Sequence, residues 1–232
     1  MERHRLNRDF DKVVCINLAE RPDKKQKMDL KFKNLGIDVE WYTAVQYGFM
    51  QKIINPIVDY RHGFFNKNHP NEIGAFQSHY SVIKQALIQG CNNILIFEDD
   101  CLFHEKFNEI LPKYLDSLPN DYDGFLLYSF QSELYKENLR ISAKWTKGFK
   151  SWSLISYSLN KKAMEKYVEV ADKFPQIADL ITYNMMNTEF NFYIASPPLI
   201  IPSKDESNIR TIKNYETTKS IFLLGINENL YQ

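Results

Sequence analysis

Apolar and polar positions along the chain fall into segments of two periods. Val13-Val14-Cys15-Ile16-Asn17-Leu18 is an apolar run bounded by a polar turn, the pattern of a strand buried on both faces. From Arg21 to Asn34 the spacing turns helical, with Met28, Leu30 and Phe32 set among lysines and Leu35 just beyond. Pro22 suits the first turn of that helix and Gly36 its end. Asp38 to Ala44 reads as a second strand, parallel to the first if a crossover helix joins them. Val45 to Pro70 has no clear period and reads as a mobile or substrate-facing loop.

Helical spacing resumes from Asn71 to Gly90, and Asn93 to Phe97 predicts another buried strand. Phe103 to Leu118 reads as a helix that Pro112 must break or bend. Strands are expected over Asp123 to Phe130 and Ser151 to Ser158, and helices over Lys161 to Phe174 and Ala178 to Asn187. Asn191 to Ile201, interrupted by Pro197-Pro198, reads as a kinked edge strand. Strands alternating with helices predict an α/β layer fold around a largely parallel sheet. A length of 232 residues fits one domain, 1–232.

Composition narrows the function classes. Lys plus Arg and Asp plus Glu both number 29, so no global field draws the chain to nucleic acid or an anionic membrane. Apolar runs such as Ile94-Leu95-Ile96-Phe97 fall far short of the roughly 20 residues of a membrane span. Residues Met1 to Asp9 lack a hydrophobic signal region, and the abundance of Lys, Asn and Ile suggests an AT-rich genome. The expected setting is cytoplasmic, in a bacterium or, for a viral protein, in the host. Cys15, Cys91 and Cys101 form neither an even disulfide set nor a zinc pair and read as reduced core thiols, although Cys101 beside acids could serve redox chemistry.

The chemistry concentrates where the strand Ile94 to Phe97 runs into Glu98-Asp99-Asp100. In open α/β sheets ligands bind beyond the carboxyl ends of strands. Adjacent carboxylates repel, and a cation is the simplest compensation; oxygen ligands suit Mg²⁺ or Mn²⁺, which would clamp the phosphates of a nucleotide. An isolated triplet of this kind could equally begin a solvated loop or sit at a helix N-terminus.

Three stretches in order shift that balance. Ile16-Asn17-Leu18 with Arg21, then Glu72-Ile73-Gly74 with Ser78-His79, then Phe97-Glu98-Asp99-Asp100 together resemble glycosyltransferase family 25, which includes bacterial lipooligosaccharide galactosyltransferases and collagen galactosyltransferases. The likeness is densest from Val13 to Phe103 and runs more weakly through Asp179 to Ser207-Asn208-Ile209; Ala75, Ile83 and Asn208 depart from the family pattern. The resemblance implies a GT-A-like, Rossmann-related fold, with a nucleotide-sugar-binding half over about 10–130 and an acceptor-side half over about 131–232. It implies inverting transfer of a hexose, galactose or glucose, from a UDP-sugar to a hydroxyl of a glycan or collagen-like protein.

On that reading Asp100 leads as metal ligand, helped by Glu98 or Asp99, one of which can instead meet ribose or a metal-bound water. Asn17, Arg21, Thr43, Ala44, Gly74, Ser78 and His79 would line the donor site, though Arg21 reads equally as a surface charge and His79 as a structural histidine. Asp179 is the expected base, with an N-cap as its plainer role, and Glu189 and Asp205 stand in reserve. Lys204 and Arg210 could bind diphosphate as a lid. No histidine follows His104, so the last metal contacts would come from phosphate, water or another carboxylate. Two other readings are a metal-dependent nucleotidyltransferase, which would normally want a glycine-rich phosphate loop this chain lacks, and a non-catalytic carbohydrate-binding protein that kept the fold.

Overall fold

Alternation along β1 (Lys12–Asn17) decides how the molecule is layered. Val14 and Ile16 enter one apolar cluster, and Val13 and Cys15 enter another on the opposite face of the sheet. The same parity holds in β3 (Asn93–Glu98), where Ile94 and Ile96 face one cluster and Leu95 and Phe97 the other. Helices cover both faces, which is why these strands carry so few polar residues. The computed structural model describes residues 3–46, 71–130, 144–148, 151–186, 188–203 and 226–232.

A short helix α1 (Arg5–Asp9) precedes β1, and α2 (Pro22–Leu35) follows it. Pro22 opens α2, and Gly36, at φ 73°, closes it by turning its N–H back onto the carbonyls of Phe32 and Lys33. After β2 (Glu40–Thr43), α3 (Asn71–Ile88) buries Ile73, Phe76, Val82 and Ile83. β3 then leads into β4 (Cys101–Phe103) and α4 (Phe107–Leu115). The second half comprises β5 (Gly124–Leu126), β6 (Trp145–Lys147), β7 (Ser156–Asn160), α5 (Lys161–Lys173), α6 (Ala178–Met185), β8 (Phe192–Ala195) and β9 (Ile200–Pro202).

Seven strands make one sheet in the order β2-β1-β3-β7-β5-β8-β6. β2, β1, β3, β5 and β8 run one way, and β7 and β6 run against them. The expected α/β class with a mostly parallel central sheet is therefore what the chain adopts. Helices α3, α5 and α6 pack on one face; α1, α2 and α4 pack on the other.

Three segments depart from the sequence reading. Phe103, the expected start of a helix, instead ends the strand Cys101–Phe103, because β9 supplies an antiparallel partner in a separate two-stranded sheet. Pro112 lies inside α4 without ending it, and the helix is shorter at both ends than the apolar spacing implied. Pro197-Pro198 splits the expected edge strand in two: β8 lies between β5 and β6, and β9 leaves for the smaller sheet. Most of the Val45 to Pro70 loop, Lys204, Asp205, Asn208 and Arg210 lie outside the described residues.

Candidate functional site

At the carboxyl ends of β1 and β3 a cleft of about 280 Å³ opens toward α3. Its lining includes Asn17, Lys24, Ala44, Gly74, Ser78, His79 and all three acids, Glu98, Asp99 and Asp100. Of the donor-site residues expected from sequence, only Arg21 and Thr43 are outside it. Arg21 is the residue before α2 and its guanidinium grips Asp23 at 2.8 and 2.9 Å, which holds that exposed carboxyl down to about 2. Thr43 ends β2 exposed, opposite Asn17 in the ladder.

Strand parity distributes the acids. Glu98 shares the face of Ile96, toward α3, and its Oε1 meets His79 Nε2 at 3.1 Å. Asp99 falls on the opposite face, toward α2. There its Oδ2 accepts from Asn17 Nδ2 at 2.7 Å and its Oδ1 from Lys24 Nζ at 3.2 Å. Lys24 is only 4% exposed, and a lysine so buried is held by its partner. Asn17 also donates to the Arg21 carbonyl at 3.1 Å, while its own carbonyl accepts the Ala44 N–H at 2.8 Å, tying the turn after β1 to the end of β2.

Asp100 differs from its neighbours. Its backbone carbonyl accepts from Ser203 N at 2.7 Å, but its Oδ1 is closed off from solvent with no hydrogen-bond partner among the described residues. Burial, reinforced by Glu98 and Asp99 and opposed by Lys24, pushes its carboxyl up to about 7. An orphaned carboxylate oxygen beside a second acid is a donor set that suits a hard divalent cation. No three His, Cys, Asp or Glu side chains among the described residues converge on one point.

The α3 wall is built by local bonds. Ser78 Oγ donates to the Gly74 carbonyl one turn back at 2.7 Å and accepts the Val45 N–H at 2.8 Å, so helix and loop meet at the rim. His79 is 3% exposed, and its Nδ1 reaches Tyr157 OH on β7 at 2.9 Å.

Asp179 is the second residue of α6 and does not line the cleft; the N-cap position belongs to Ile177, so the plainer role anticipated for this acid is not the one it has. Its Oδ2 accepts the backbone N–H of Ser153 at 2.9 Å. Ser153 has φ 107°, a strained value for a residue with a Cβ. Next to it, Trp152 stacks on Tyr183, one helical turn beyond Asp179, with ring centroids 4.7 Å apart. Glu189 is exposed. Cys15, Cys91 and Cys101 are buried free thiols, and burial raises the Cys101 thiol well above its ordinary value, which suppresses thiolate chemistry.

Sequence reasoning missed Lys24 and Tyr157. Lys24 lies among many lysines of α2, and only its place in the first turn after β1 distinguishes it. Tyr157 had no local signal, since its partner is 78 positions away.

Comparison with known proteins follows these lines. The profile of the family described as "Glycosyltransferase family 25 (LPS biosynthesis protein)" matches residues 10–154, more than half of the chain. A glycosyltransferase 25 family member of Aedes aegypti is 26% identical over 186 residues, covering 70% of this chain and 30% of its own length. Procollagen galactosyltransferase 2 of Homo sapiens is 30% identical over 116 residues, 47% of this chain and 18% of its own. The human inactive glycosyltransferase 25 family member 3 is 31% identical over 117 residues, 47% of this chain and 20% of its own. The chain thus spans less than a third of the length of the curated relatives it matches.

Proposed function

Because this chain belongs to glycosyltransferase family 25, we propose that it transfers a hexose, galactose or glucose, from a UDP-sugar to a hydroxyl of a glycan or protein acceptor, with Mn²⁺ or Mg²⁺ at the acids. The observation that carries this reading is Asp100: a buried carboxylate oxygen with no hydrogen-bond partner among the described residues, in a strand-end cleft next to Glu98. Asp100 and Glu98 would hold the cation, with phosphate oxygens and water as its other ligands. When bound, the metal supplies positive charge against the departing diphosphate.

The chain's own residues divide the rest of the work. Asn17 and Lys24 fix Asp99 so that its carboxylate offers its remaining acceptor capacity to the ribose or to a metal-bound water. Ala44, Gly74 and Ser78 form walls against which the nucleoside can lie. Asp179, aimed by the Ser153 N–H, would take the acceptor proton. The Trp152–Tyr183 pair beside it offers an aromatic surface for an acceptor sugar ring.

Transfer and hydrolysis assays with a panel of UDP-sugars, each with and without Mn²⁺, test the reading. Manganese-dependent turnover of one UDP-hexose is expected, together with loss of metal-dependent UDP binding in Asp100→Ala. If no sugar nucleotide binds and Asp100→Ala changes neither metal nor nucleotide affinity, the reading fails. Nucleotide binding without turnover would instead match the relatives named inactive and favour a carbohydrate-binding protein.

A further inference from the structure

Glu98, His79 and Tyr157 come from β3, α3 and β7, and they meet in one line beneath the cleft. β7 runs antiparallel to β3 with Tyr157 opposite Ile96, and Glu98 shares the face of Ile96. His79 descends from α3 between Glu98 and Tyr157, at 3.1 Å from the carboxylate and 2.9 Å from the phenol oxygen. Tyr157 has no exposed surface and His79 only 3%, so water cannot stand in for the contact between them.

With Glu98 ionised and His79 neutral, the hydrogen bonds of this line have one proton arrangement. An ionised carboxylate only accepts, so the imidazole nitrogen facing Glu98 must carry the hydrogen. In the neutral ring Nδ1 is then an acceptor, and the Tyr157 hydroxyl must donate to it. Burial raises the Tyr157 phenol well above its ordinary range, which keeps it a donor. We propose that Tyr157 is a positioning residue: its hydroxyl fixes the Nε2–H tautomer of His79, and that N–H holds the Glu98 carboxylate at the cleft.

The arrangement completes the treatment of three adjacent acids. Asp99 is held from below by Asn17 and Lys24, and Glu98 from above by His79 and, through it, Tyr157. Asp100 Oδ1 is the buried oxygen of the triplet that has no hydrogen-bond partner among the described residues. Without Tyr157 the imidazole can flip its proton to Nδ1, leaving a lone pair to face the carboxylate, which would swing away from its neighbours' charge. Groups hydrogen-bonded directly to a metal-binding side chain, as His79 is to Glu98, typically change metal affinity about 10- to 100-fold when removed, and Tyr157, one hydrogen bond further out, should act at the low end of that range. The inference rests on the assignment of Glu98 to the metal and nucleotide site.

Nitrogen-15 NMR of the histidines in the metal-free wild type is the first test and needs no variant. His79 is expected with a protonated Nε2 and a bare Nδ1; a protonated Nδ1 overturns the proposal. Tyr157→Phe, which removes one oxygen and keeps the ring, should give mixed tautomers at His79 and weaken manganese binding in the presence of UDP about tenfold by electron paramagnetic resonance. The donor KM should rise more than kcat falls. If Tyr157→Phe lowers the melting temperature but leaves the tautomer and the manganese affinity within twofold of wild type, Tyr157 is only a core residue. A wild type that binds no manganese with UDP overturns the functional reading of the cleft, whereas equal binding by wild type and variant overturns the positioning role alone.

Discussion

Asp100 carries a protonation cost that the rest of the site exists to manage. Its carboxyl titrates at about 7 in the folded chain, chiefly through burial, against an ordinary value of 3.8. Below about pH 4 folded and unfolded chains both hold the proton, and the contribution of the group to stability is fully present. As pH rises from 4 to 7 the unfolded chain releases it first, so stability falls, and above 7 the whole contribution is lost. Asp100→Asn removes this titration. At pH 8 and without metal the variant is expected to be the more stable protein, by about 2–4 kcal/mol, and at pH 4 the two should be alike. Urea denaturation at both pH values checks this; an equal difference at both would show that the carboxyl is not strained by burial. A divalent cation must displace the same proton, so its apparent affinity should weaken below pH 7, readable by calorimetry with UDP present.

Elements place these residues, and one close approach in the sheet exposes the packing to test. β5 lies between β7 and β8, and a Cβ on Gly124 would come 2.8 Å from the Ser158 carbonyl and collide with the Phe192 ring at Cε1. Gly124→Ala is therefore expected to destabilise by about 1–3 kcal/mol, measured as a lower urea midpoint with unchanged slope. Turning the ring aside would relieve only part of the clash, because the Ser158 carbonyl belongs to the backbone of β7; an unchanged urea midpoint would show that the sheet itself gives way at no cost. The β1-α2-β2 unit and the α3-β3 unit were legible in the sequence because period, Pro22 and Gly36 all agree locally, and the acids at the end of β3 followed from them. Phe103 was not legible: its apolar spacing fits a helix, and only β9, about a hundred residues later, makes it strand. Tyr157 was hidden for the same reason, since a buried tyrosine declares a role only when its partner on α3 is known. Lys24 shows the converse, one lysine among many in α2 that is buried because it pairs with Asp99.

At the scale of the molecule, charge is balanced over the chain as a whole, while three acids gather at the cleft proposed above to take the nucleotide. The two halves of the sheet meet at β3 and β7, and the acids stand at the end of one while Tyr157 comes from the other. A ligand gripping the acids therefore draws on both halves, and its binding free energy should appear as stability of the whole fold. At a hundredfold excess over Kd such linkage is worth about 2.7 kcal/mol, which for a chain of this size raises Tm by roughly 5–10 °C. UDP with Mn²⁺ should produce that shift in a single cooperative transition. Either component alone should give less, because the diphosphate repels bare carboxylates and the metal lacks its phosphate ligands. Asp100→Ala should abolish the shift while folding normally. A biphasic melt, in which only residues before β5 gain stability, would instead mean that the halves unfold separately and that the Glu98–His79–Tyr157 line does not bind them into one unit.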